Sequence, residues 1–274
     1  MKKSSSGQSS PSMEILESVA TKIADTARTI ILGSRSKAIQ VNRKNDQSLV
    51  TSVDVQVEQS ARKILNSHFP EHGIVGEETG EINAESDYKW IIDPIDGTEE
   101  FTRQIPLYGS IFALHYKGQP VLGIIDHPEL DLRYLAVIGK GAYCNGKQIH
   151  MEKLSLRARD QYVVAIPAFQ DFVRYTDDSA EFAALTKSFQ NHRIYRCCFS
   201  HTCAVSGKLD AAIEHNVRLW DIAASQILIE EAGGKFVSIR KQIDRCSYEL
   251  YDVVMGKEEV VCDIIAQTIN TTET

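Results

Sequence analysis

The sequence predicts a layered α/β (α+β) protein, and three observations support this class. The chain has 274 residues, of which 43% are hydrophobic, so it can bury a large core. Helical periodicity opens the chain, strand patterns dominate from residue 109, and helix and strand patterns alternate after about residue 155. We therefore expect sheets covered by layers of helices, with a shared core between two lobes.

The first half of the chain carries two predicted helices and a series of strands. Apolar residues recur at helical spacing over 14–32 and again from 53 or 54 to 68. Two short apolar runs then end in acidic residues, which is typical of buried strands that deliver charge to one edge of a sheet. Strands are predicted at the ranges 110–116, 120–126 and 133–138, the first two joined by a tight turn at 117–118.

The second half alternates between the two periodicities. Its predicted strands lie at 163–166, 193–195 and 211–214, and its predicted helices at 180–189, 200–206 and 221–232. The last helix should end at Gly233, because glycine readily adopts the left-handed conformation found after helices. The chain is thus divided into a flexible leader over 1–12, an N-terminal α+β lobe with an antiparallel sheet over 13–155 and a C-terminal α/β lobe over 156–274.

Composition excludes several classes of protein. With 30 Lys+Arg against 37 Asp+Glu, the formal net charge is −7, which disfavours a nucleic-acid partner. No apolar run approaches the roughly 20 residues that span a bilayer. The serine-rich stretch after Lys3 does not suit a signal peptide, so we expect a cytoplasmic protein. The six cysteines have no CxxC spacing, so neither a zinc site nor a disulfide framework is expected.

One short segment carries the densest chemical signal. Asp93 and Asp96 are separated by Pro94 and followed by Gly97 and Thr98. Proline and glycine at these positions predict a tight turn at a strand end, and such a turn would point both carboxylates at one spot. An Asx turn that merely caps the following helix is the structural alternative.

Further acidic residues follow other predicted elements. Glu77 and Glu78 come after a buried apolar run, and Asp221 opens a strongly helical segment. Buried elements seldom end in so many acids unless a hard cation offsets their repulsion. Oxygen ligands suit Mg²⁺ or Mn²⁺, and the absence of histidine and cysteine from the set disfavours zinc. With the N–H groups of Gly97 and Thr98 available to an anion, the pattern predicts metal-assisted hydrolysis of a phosphate monoester.

These segments resemble, in order, the signatures of the inositol monophosphatase superfamily. The matching stretches are Lys44 with 49–54, 76–78, 90–98, 140–146, 219–224 and 231–234. The resemblance extends from about residue 14 to 266, and several ordered motifs together are far more specific than any one of them. It implies a layered αβαβα sandwich of the inositol monophosphatase and sugar phosphatase type, Mg²⁺-dependent phosphatase activity and a homodimer.

The resemblance also implies a set of metal ligands. Glu77, Asp93 and the carbonyl of Ile95 would hold a first Mg²⁺, and Asp93, Asp96 and Asp221 a second, so that Asp93 bridges the two. The family implies two or three ions, with Mn²⁺ as a substitute and Li⁺ and Ca²⁺ as inhibitors.

Catalytic and substrate-binding roles follow in the same way. Thr98, hydrogen-bonded to Asp54 and near Glu77, would orient the attacking water, so these three residues form the implied catalytic group. The N–H groups of Gly97 and Thr98 would hold the phosphate oxygens. Glu214 matches a position at which the family contacts substrate hydroxyls.

The substrate is less defined. Residues 105–109, 118–128 and 133–134 are closer to the histidinol-phosphatase branch than to the inositol-specific members. The stretch 196–201 departs from both branches, and we take Arg196 and His201 from it as candidate substrate contacts. His201 could instead act as an acid or be a structural histidine. Glu99 and Glu100, next to the phosphate-binding turn, would favour a cationic or amine-bearing substrate.

Histidinol phosphate and inositol monophosphate therefore both remain as substrates, and a bisphosphate nucleotidase ranks below them. A catalytically lapsed family member that acts as a binding or regulatory protein is the alternative from another class. It would have lost at least one catalytic position, whereas this chain keeps all five matched side chains: Glu77, Asp93, Asp96, Thr98 and Asp221.

Overall fold

The computed structural model describes residues 11–35, 39–44, 48–153, 159–174, 178–244 and 249–271. The predicted leader over 1–12 lies outside these residues except for its last two positions. The predicted boundary between the lobes, at 155, also lies outside them, so the division into lobes stays a prediction. Among the described residues, none of the helices is both long enough and apolar enough to span a bilayer.

The helices of the described residues are α1 (Met13–Ser34), α2 (Ser52–His68), α3 (Thr98–Thr102), α4 (Phe169–Val173), α5 (Ser179–Ser188), α6 (Cys197–Val205), α7 (Leu219–Ile222), α8 (Ser225–Glu231) and α9 (Glu258–Thr271). The strands are β1 (Val41–Arg43), β2 (Leu49–Thr51), β3 (Gly73–Gly76), β4 (Gly80–Ile82), β5 (Tyr88–Asp96), β6 (Gly109–Tyr116), β7 (Gln119–His127), β8 (Leu132–Val137), β9 (Gly141–Cys144), β10 (Lys147–Ile149), β11 (Val164–Ala165), β12 (His192–Arg193), β13 (Ala211–Val217), β14 (Lys235–Ile243) and β15 (Glu249–Gly256).

The strands form two large sheets and one small one. The larger sheet has the order β10-β9-β8-β7-β6-β5-β3-β4 and is antiparallel except for the parallel pair β3 and β5. The second sheet has the order β12-β11-β13-β15-β14, with β11 parallel to both of its neighbours. Strands β1 and β2 form a separate hairpin next to α2.

The helices lie in three layers around these sheets. One apolar cluster joins α1 and α2 to the outer face of the eight-stranded sheet. A second cluster lies between the two large sheets and includes α6 and α8, and a third joins α5 and α9 to the outer face of the five-stranded sheet. The predicted αβαβα sandwich is thereby confirmed.

Central strands of the larger sheet are apolar on both faces because helices cover both. Trp90 and Ile92 of β5 pack in the cluster with α1 and α2, whereas Ile91 packs in the cluster between the sheets. Alternate residues of a strand point to opposite faces, so a continuous apolar run is what a doubly covered strand requires.

The predicted helix over 221–232 is wrong in its extent. The structure forms α7 and α8 instead, with a turn at 223–224. The interruption lies where Ala224 packs directly on Gly123 of β7. A Cβ atom on Gly123 would lie 2.9 Å from the Ala224 carbonyl oxygen and 2.8 Å from Cγ2 of Ile227. The absence of a side chain at Gly123 therefore lets α8 approach the sheet.

We expect Gly123→Ala to lower the free energy of unfolding by about 1–3 kcal/mol, because the added methyl group would overlap α8. Gly33→Ala is the matched control, since Gly33 lies in α1 with open space around its Cα, and it should stabilise the protein by at most about 1 kcal/mol. Urea unfolding followed by circular dichroism measures both. Equal midpoints for the two variants would contradict the close contact between α8 and β7.

Candidate active site

The two aspartates of the central motif lie at the end of β5. Asp93 is paired with Ile111 of β6 and Asp96 with Gly109, so three residue steps on β5 face two on β6. This one-residue bulge brings two side chains three positions apart to the same face, where a regular strand would place them on opposite faces. The predicted tight turn is therefore corrected to a bulge within the strand. Pro94, which has no N–H to donate, lies in this bulge.

Asp221 completes a cluster with these two aspartates. One carboxylate oxygen from each of Asp93, Asp96 and Asp221 lies within 4.8 Å of the others. Backbone groups orient two of the carboxylates: the N–H of Cys198 donates to Asp96 Oδ2 at 2.5 Å, and the N–H of Arg218 donates to Asp221 Oδ2 at 2.6 Å. The cluster therefore depends on the starts of α6 and α7 as well as on β5.

The aspartate cluster is electrostatically unfavourable without a cation. Burial and the charges of neighbouring carboxylates raise the pKa of Asp93 and Asp221 well above the usual range, and burial raises the pKa of Asp96 to about 6. Asp93 Oδ1 is buried and has no hydrogen-bond partner among the described residues. An unpartnered carboxylate oxygen amid further carboxylates is what a hard divalent cation coordinates, so these residues fit a metal ion.

Glu77 and Glu78 follow β3 and border this cluster. The charge of Glu77 contributes to the raised pKa of both Asp93 and Asp221. The ammonium group of Lys44 donates to one carboxylate oxygen of each glutamate at 2.7 Å. Burial and the charge of Glu77 raise the pKa of Glu78 to about 7. Lys44 thus offsets part of the negative charge at this end of the site.

Glu58 was not identified from the sequence, although it holds the loop that carries the two glutamates. This fully buried side chain accepts hydrogen bonds from the N–H groups of Glu78 at 2.8 Å and Thr79 at 3.1 Å. A Cβ atom on Gly76 would overlap its carboxylate, which explains the glycine at the end of β3. The sequence did contain one indication of this role. Glu58 lies on the buried stripe of α2, and a buried acidic residue needs hydrogen-bond partners inside the protein.

Thr98, at the start of α3, lies beside Asp54 as the resemblance implied. Its Oγ1 is 3.3 Å from Asp54 Oδ1 and 3.1 Å from the carbonyl oxygen of Ile95. The other oxygen of Asp54 accepts hydrogen bonds from the N–H and the hydroxyl of Thr51, which caps α2. Burial raises the pKa of Asp54 to about 6. The helix cap therefore orients the carboxylate that faces Thr98.

Gly97 forms the turn between β5 and α3. Its φ of 91° lies in the left-handed region that favours glycine. A Cβ atom here would lie 3.0 Å from Cys197 Sγ and 3.2 Å from Tyr108 Cβ. Both the backbone conformation and the available space therefore require glycine at this turn, which lines the cleft next to Thr98.

Glu214 of β13 lines the same cleft. Its Oε1 accepts a hydrogen bond from Ser200 Oγ at 2.9 Å and lies 3.0 Å from His201 Nε2. The other ring nitrogen of His201 lies 2.9 Å from the hydroxyl of Ser225. The two serines were also not identified from the sequence, because their role depends on contacts between α6, α8 and β13.

Arg196, just before α6, faces three carboxylates at the mouth of the cleft. Its guanidinium nitrogens lie 3.9 Å from Glu99, 3.9 Å from Glu100 and 3.7 Å from Asp171. Glu99 is also paired with Arg103 at 3.0 Å. Each of the two extra acids thus has an arginine within 4 Å, so they add less negative charge to the mouth than the sequence suggested.

The cleft itself has a volume of about 860 Å³ and is lined by both halves of the chain. The predicted site residues that line it are Glu77, Asp96, Gly97, Thr98, Arg196, His201, Glu214 and Asp221. The remaining ones, Asp54, Asp93 and Ile95, are buried beside them. Cationic side chains also line the cleft, namely Arg43, Lys44, Arg103, Arg174, Arg196 and Arg218. The cleft therefore combines buried carboxylates with cationic side chains, several of which are paired with acidic residues.

The comparisons with known proteins identify the class of protein that has this fold and this carboxylate-lined cleft as the phosphoric monoester hydrolases. The sequence model of the inositol monophosphatase family matches residues 12–272, and the chain belongs to this family.

Individual relatives agree with this assignment. The chain is 32% identical to a histidinol-phosphatase of Mycobacterium tuberculosis over 203 residues, which cover 73% of this chain and 78% of that protein. It is 30% identical to an inositol monophosphatase of Dictyostelium discoideum over 258 residues, 90% of this chain and 92% of that protein. A solved inositol monophosphatase from Zymomonas mobilis superposes with a TM-score of 0.79 at 25% identity, covering 95% of this chain and 100% of that one.

We expect the metal-free protein to lose stability as the pH rises from about 4 to 7. Asp54 and Asp96 have a pKa of about 6 and Glu78 of about 7, against ordinary values of 3.8 and 4.5. The folded state therefore binds these protons more tightly than the unfolded state, and this advantage is lost as the pH passes the folded-state pKa. Mg²⁺ should consequently raise the melting temperature more at pH 8 than at pH 5, which thermal unfolding in EDTA and in Mg²⁺ measures.

Asp93→Asn should have opposite effects on the stability of the metal-free protein and on metal binding. Removing one buried charge should stabilise the metal-free protein by about 0.5–2 kcal/mol at pH 8, while the rise in melting temperature with Mg²⁺ disappears. Glu71→Gln, at an exposed position on the surface, is the matched control and should keep the Mg²⁺ effect. A full Mg²⁺ effect in Asp93→Asn would show that the cluster does not hold the metal.

Proposed function

We propose that this chain is a Mg²⁺-dependent phosphomonoesterase that hydrolyses the phosphate ester of a small polar alcohol, with histidinol phosphate ranked before inositol monophosphate. The observation that carries the proposal is the buried, unpartnered oxygen of Asp93 within a cluster of three aspartates, next to the Thr98–Asp54 pair. The names of the relatives support both substrates.

The donor set supports Mg²⁺ or Mn²⁺, since every proposed ligand is an oxygen atom. Glu77, Asp93 and the Ile95 carbonyl would hold a first ion, and Asp93, Asp96 and Asp221 a second, with a third ion also compatible with the family. Bound Mg²⁺ would supply activation of the attacking water and positive charge opposite the leaving oxygen. Li⁺ and Ca²⁺ are proposed as inhibitors that compete for these oxygens.

The chain's own groups orient the reactants. With its proton directed at Asp54 Oδ1, the hydroxyl oxygen of Thr98 can accept a hydrogen bond from the attacking water and so hold it in place. The N–H groups of Gly97 and Thr98, which line the cleft, are proposed to hold the phosphate oxygens. Glu214 and Arg196 are proposed to contact the alcohol part of the substrate.

Phosphate release from a panel of esters, with Mg²⁺ and with EDTA, tests the proposal. The panel contains histidinol phosphate, inositol 1-phosphate, an adenosine bisphosphate and fructose 1,6-bisphosphate. We expect one monoester, histidinol phosphate first, to dominate and EDTA to stop its hydrolysis. Much faster hydrolysis of inositol 1-phosphate would overturn the ranking, and a dominant bisphosphate would favour a bisphosphate nucleotidase. Mg²⁺ binding without hydrolysis of any ester would favour a binding or regulatory protein.

We further propose a homodimer, as the family resemblance suggests, and a cytoplasmic location. Light scattering of the purified protein and microscopy of a tagged chain test these two points separately from activity.

Thr98→Ala should lower kcat about 100-fold with little change in KM, because the hydroxyl orients the water rather than binding the alcohol. Thr98→Ser keeps the hydroxyl and should retain most of the activity, which makes it the matched control. Steady-state kinetics on the preferred ester measures both variants. Equal kcat values for the alanine and serine variants would remove Thr98 from this role.

A further inference from the structure

We propose that His201 and Ser225 are positioning residues that orient the Glu214 carboxylate toward hydrogen-bond donors on the alcohol part of the substrate. This inference rests on the proposed phosphatase function and extends it from the phosphate end of the cleft to the end that selects the alcohol.

The first observation is that Glu214 is held from one side. Both hydrogen bonds that the described residues make with its carboxylate are to Oε1, one from Ser200 at 2.9 Å and one involving His201 Nε2 at 3.0 Å. Glu214 lines the cleft, and its side chain is 12% exposed. With Oε1 engaged by two groups of α6, Oε2 is the oxygen left to accept hydrogen bonds from a molecule in the cleft.

The second observation is that His201 is itself held from behind. A carboxylate only accepts hydrogen bonds, so Nε2 of His201 must carry the hydrogen that points to Glu214. Nδ1 then accepts from the hydroxyl of Ser225 at 2.9 Å. His201 and Ser225 are 1% and 0% exposed, so no solvent competes for these contacts. The row of three side chains joins α8, α6 and β13 and fixes the plane of the imidazole ring.

Ser225, His201 and Glu214 are connected in space and are of the residue types that form a catalytic Ser–His–acid triad. The burial of Ser225 excludes that role. A nucleophile must reach the phosphorus atom, whereas the Ser225 hydroxyl is completely buried and does not line the cleft. His201 likewise uses both ring nitrogens in contacts within the protein. Its effect on the substrate therefore passes through Glu214.

The consequence is selection for alcohols that carry donors. Hydroxyl groups and an ammonium group can both donate a hydrogen bond to a carboxylate oxygen. A carboxylate in a fixed orientation increases the affinity for substrates that carry such a donor at one particular position. Esters whose alcohol part carries no donor gain nothing from this contact. The arrangement therefore predicts discrimination by the substrate's donors rather than by its net charge.

Kinetics on two kinds of ester test the proposal with the Mg²⁺-loaded enzyme. Histidinol phosphate and inositol 1-phosphate carry donors, whereas the leaving group of p-nitrophenyl phosphate carries none. In His201→Asn, the ratio of kcat/KM for the preferred donor-bearing ester to that for p-nitrophenyl phosphate should fall about tenfold or more, through KM. His201→Gln is the matched variant, because its amide nitrogen can take the place of Nε2, and it should recover most of the ratio.

Ser225→Ala keeps the proposal falsifiable if His201→Asn does not fold, and it should lower the same ratio by a smaller factor. The proposal would be overturned if the ratio of the two kcat/KM values were unchanged in both His201→Asn and Ser225→Ala. An equal loss of activity on both esters leaves this ratio unchanged and would therefore also overturn it. Equal ratios for the asparagine and glutamine variants would also overturn it, because a purely structural histidine would not distinguish them.

A readout that needs no catalysis separates this proposal from the proposed function. In protein labelled with ¹⁵N-histidine, the nitrogen chemical shifts report which ring nitrogen of His201 carries hydrogen, with Glu214→Gln used to assign the signal. Hydrogen on Nε2 is the expected result. The tautomer with hydrogen on Nδ1 alone would overturn the positioning role even in an active enzyme. Failure of the wild-type protein to hydrolyse any ester would instead overturn the proposed function.

Discussion

Mutual repulsion of buried carboxylates is the constraint on which the rest of the site depends. One carboxylate oxygen each of Asp93, Asp96 and Asp221 is brought within 4.8 Å of the others by two elements that are far apart in the sequence, the end of β5 and α7. Their raised pKa values show the cost of this arrangement, and Asp93 Oδ1 has no hydrogen-bond partner among the described residues. Such a cluster lowers the stability of the metal-free fold. Active sites commonly reduce protein stability in this way, because their residues are arranged for function.

The scaffold holds these charges with backbone groups and helix starts. The N–H groups at the starts of α6 and α7 orient Asp96 and Asp221, and the cap of α2 orients Asp54 toward Thr98. Glu58 fixes the loop after β3 through two further N–H groups. Hydrogen bonds from fixed backbone donors keep carboxylates in place without adding mobile side chains, so the site is arranged before any ligand binds.

The substrate side of the cleft follows a different principle. Its acidic residues are paired: Arg196 faces Glu99 and Glu100, and Glu214 is held by the side chains of α6. A wall of paired charges contributes little net field, and it instead presents hydrogen-bonding atoms at defined positions. Relatives named histidinol-phosphatase and inositol monophosphatase are similar to this chain in sequence, which agrees with selectivity that resides in a few side chains around a common phosphate site.

The sequence by itself determined the features that depend on local pattern. Periodicity located α1 and α2 and the strands β6, β7 and β8 to within a few residues, because burial of one stripe or of both faces imposes a fixed spacing. Acids at element ends identified Asp93, Asp96 and Asp221 as one group. Only the tertiary structure decided the bulge in β5, the buried partner role of Glu58, the break between α7 and α8, and the pairing of Arg196 and His201 with carboxylates. Each of these is set by contacts between elements distant in the chain. For Glu58 the sequence signal was limited to an acidic residue on the buried stripe of α2, which does not identify its partners.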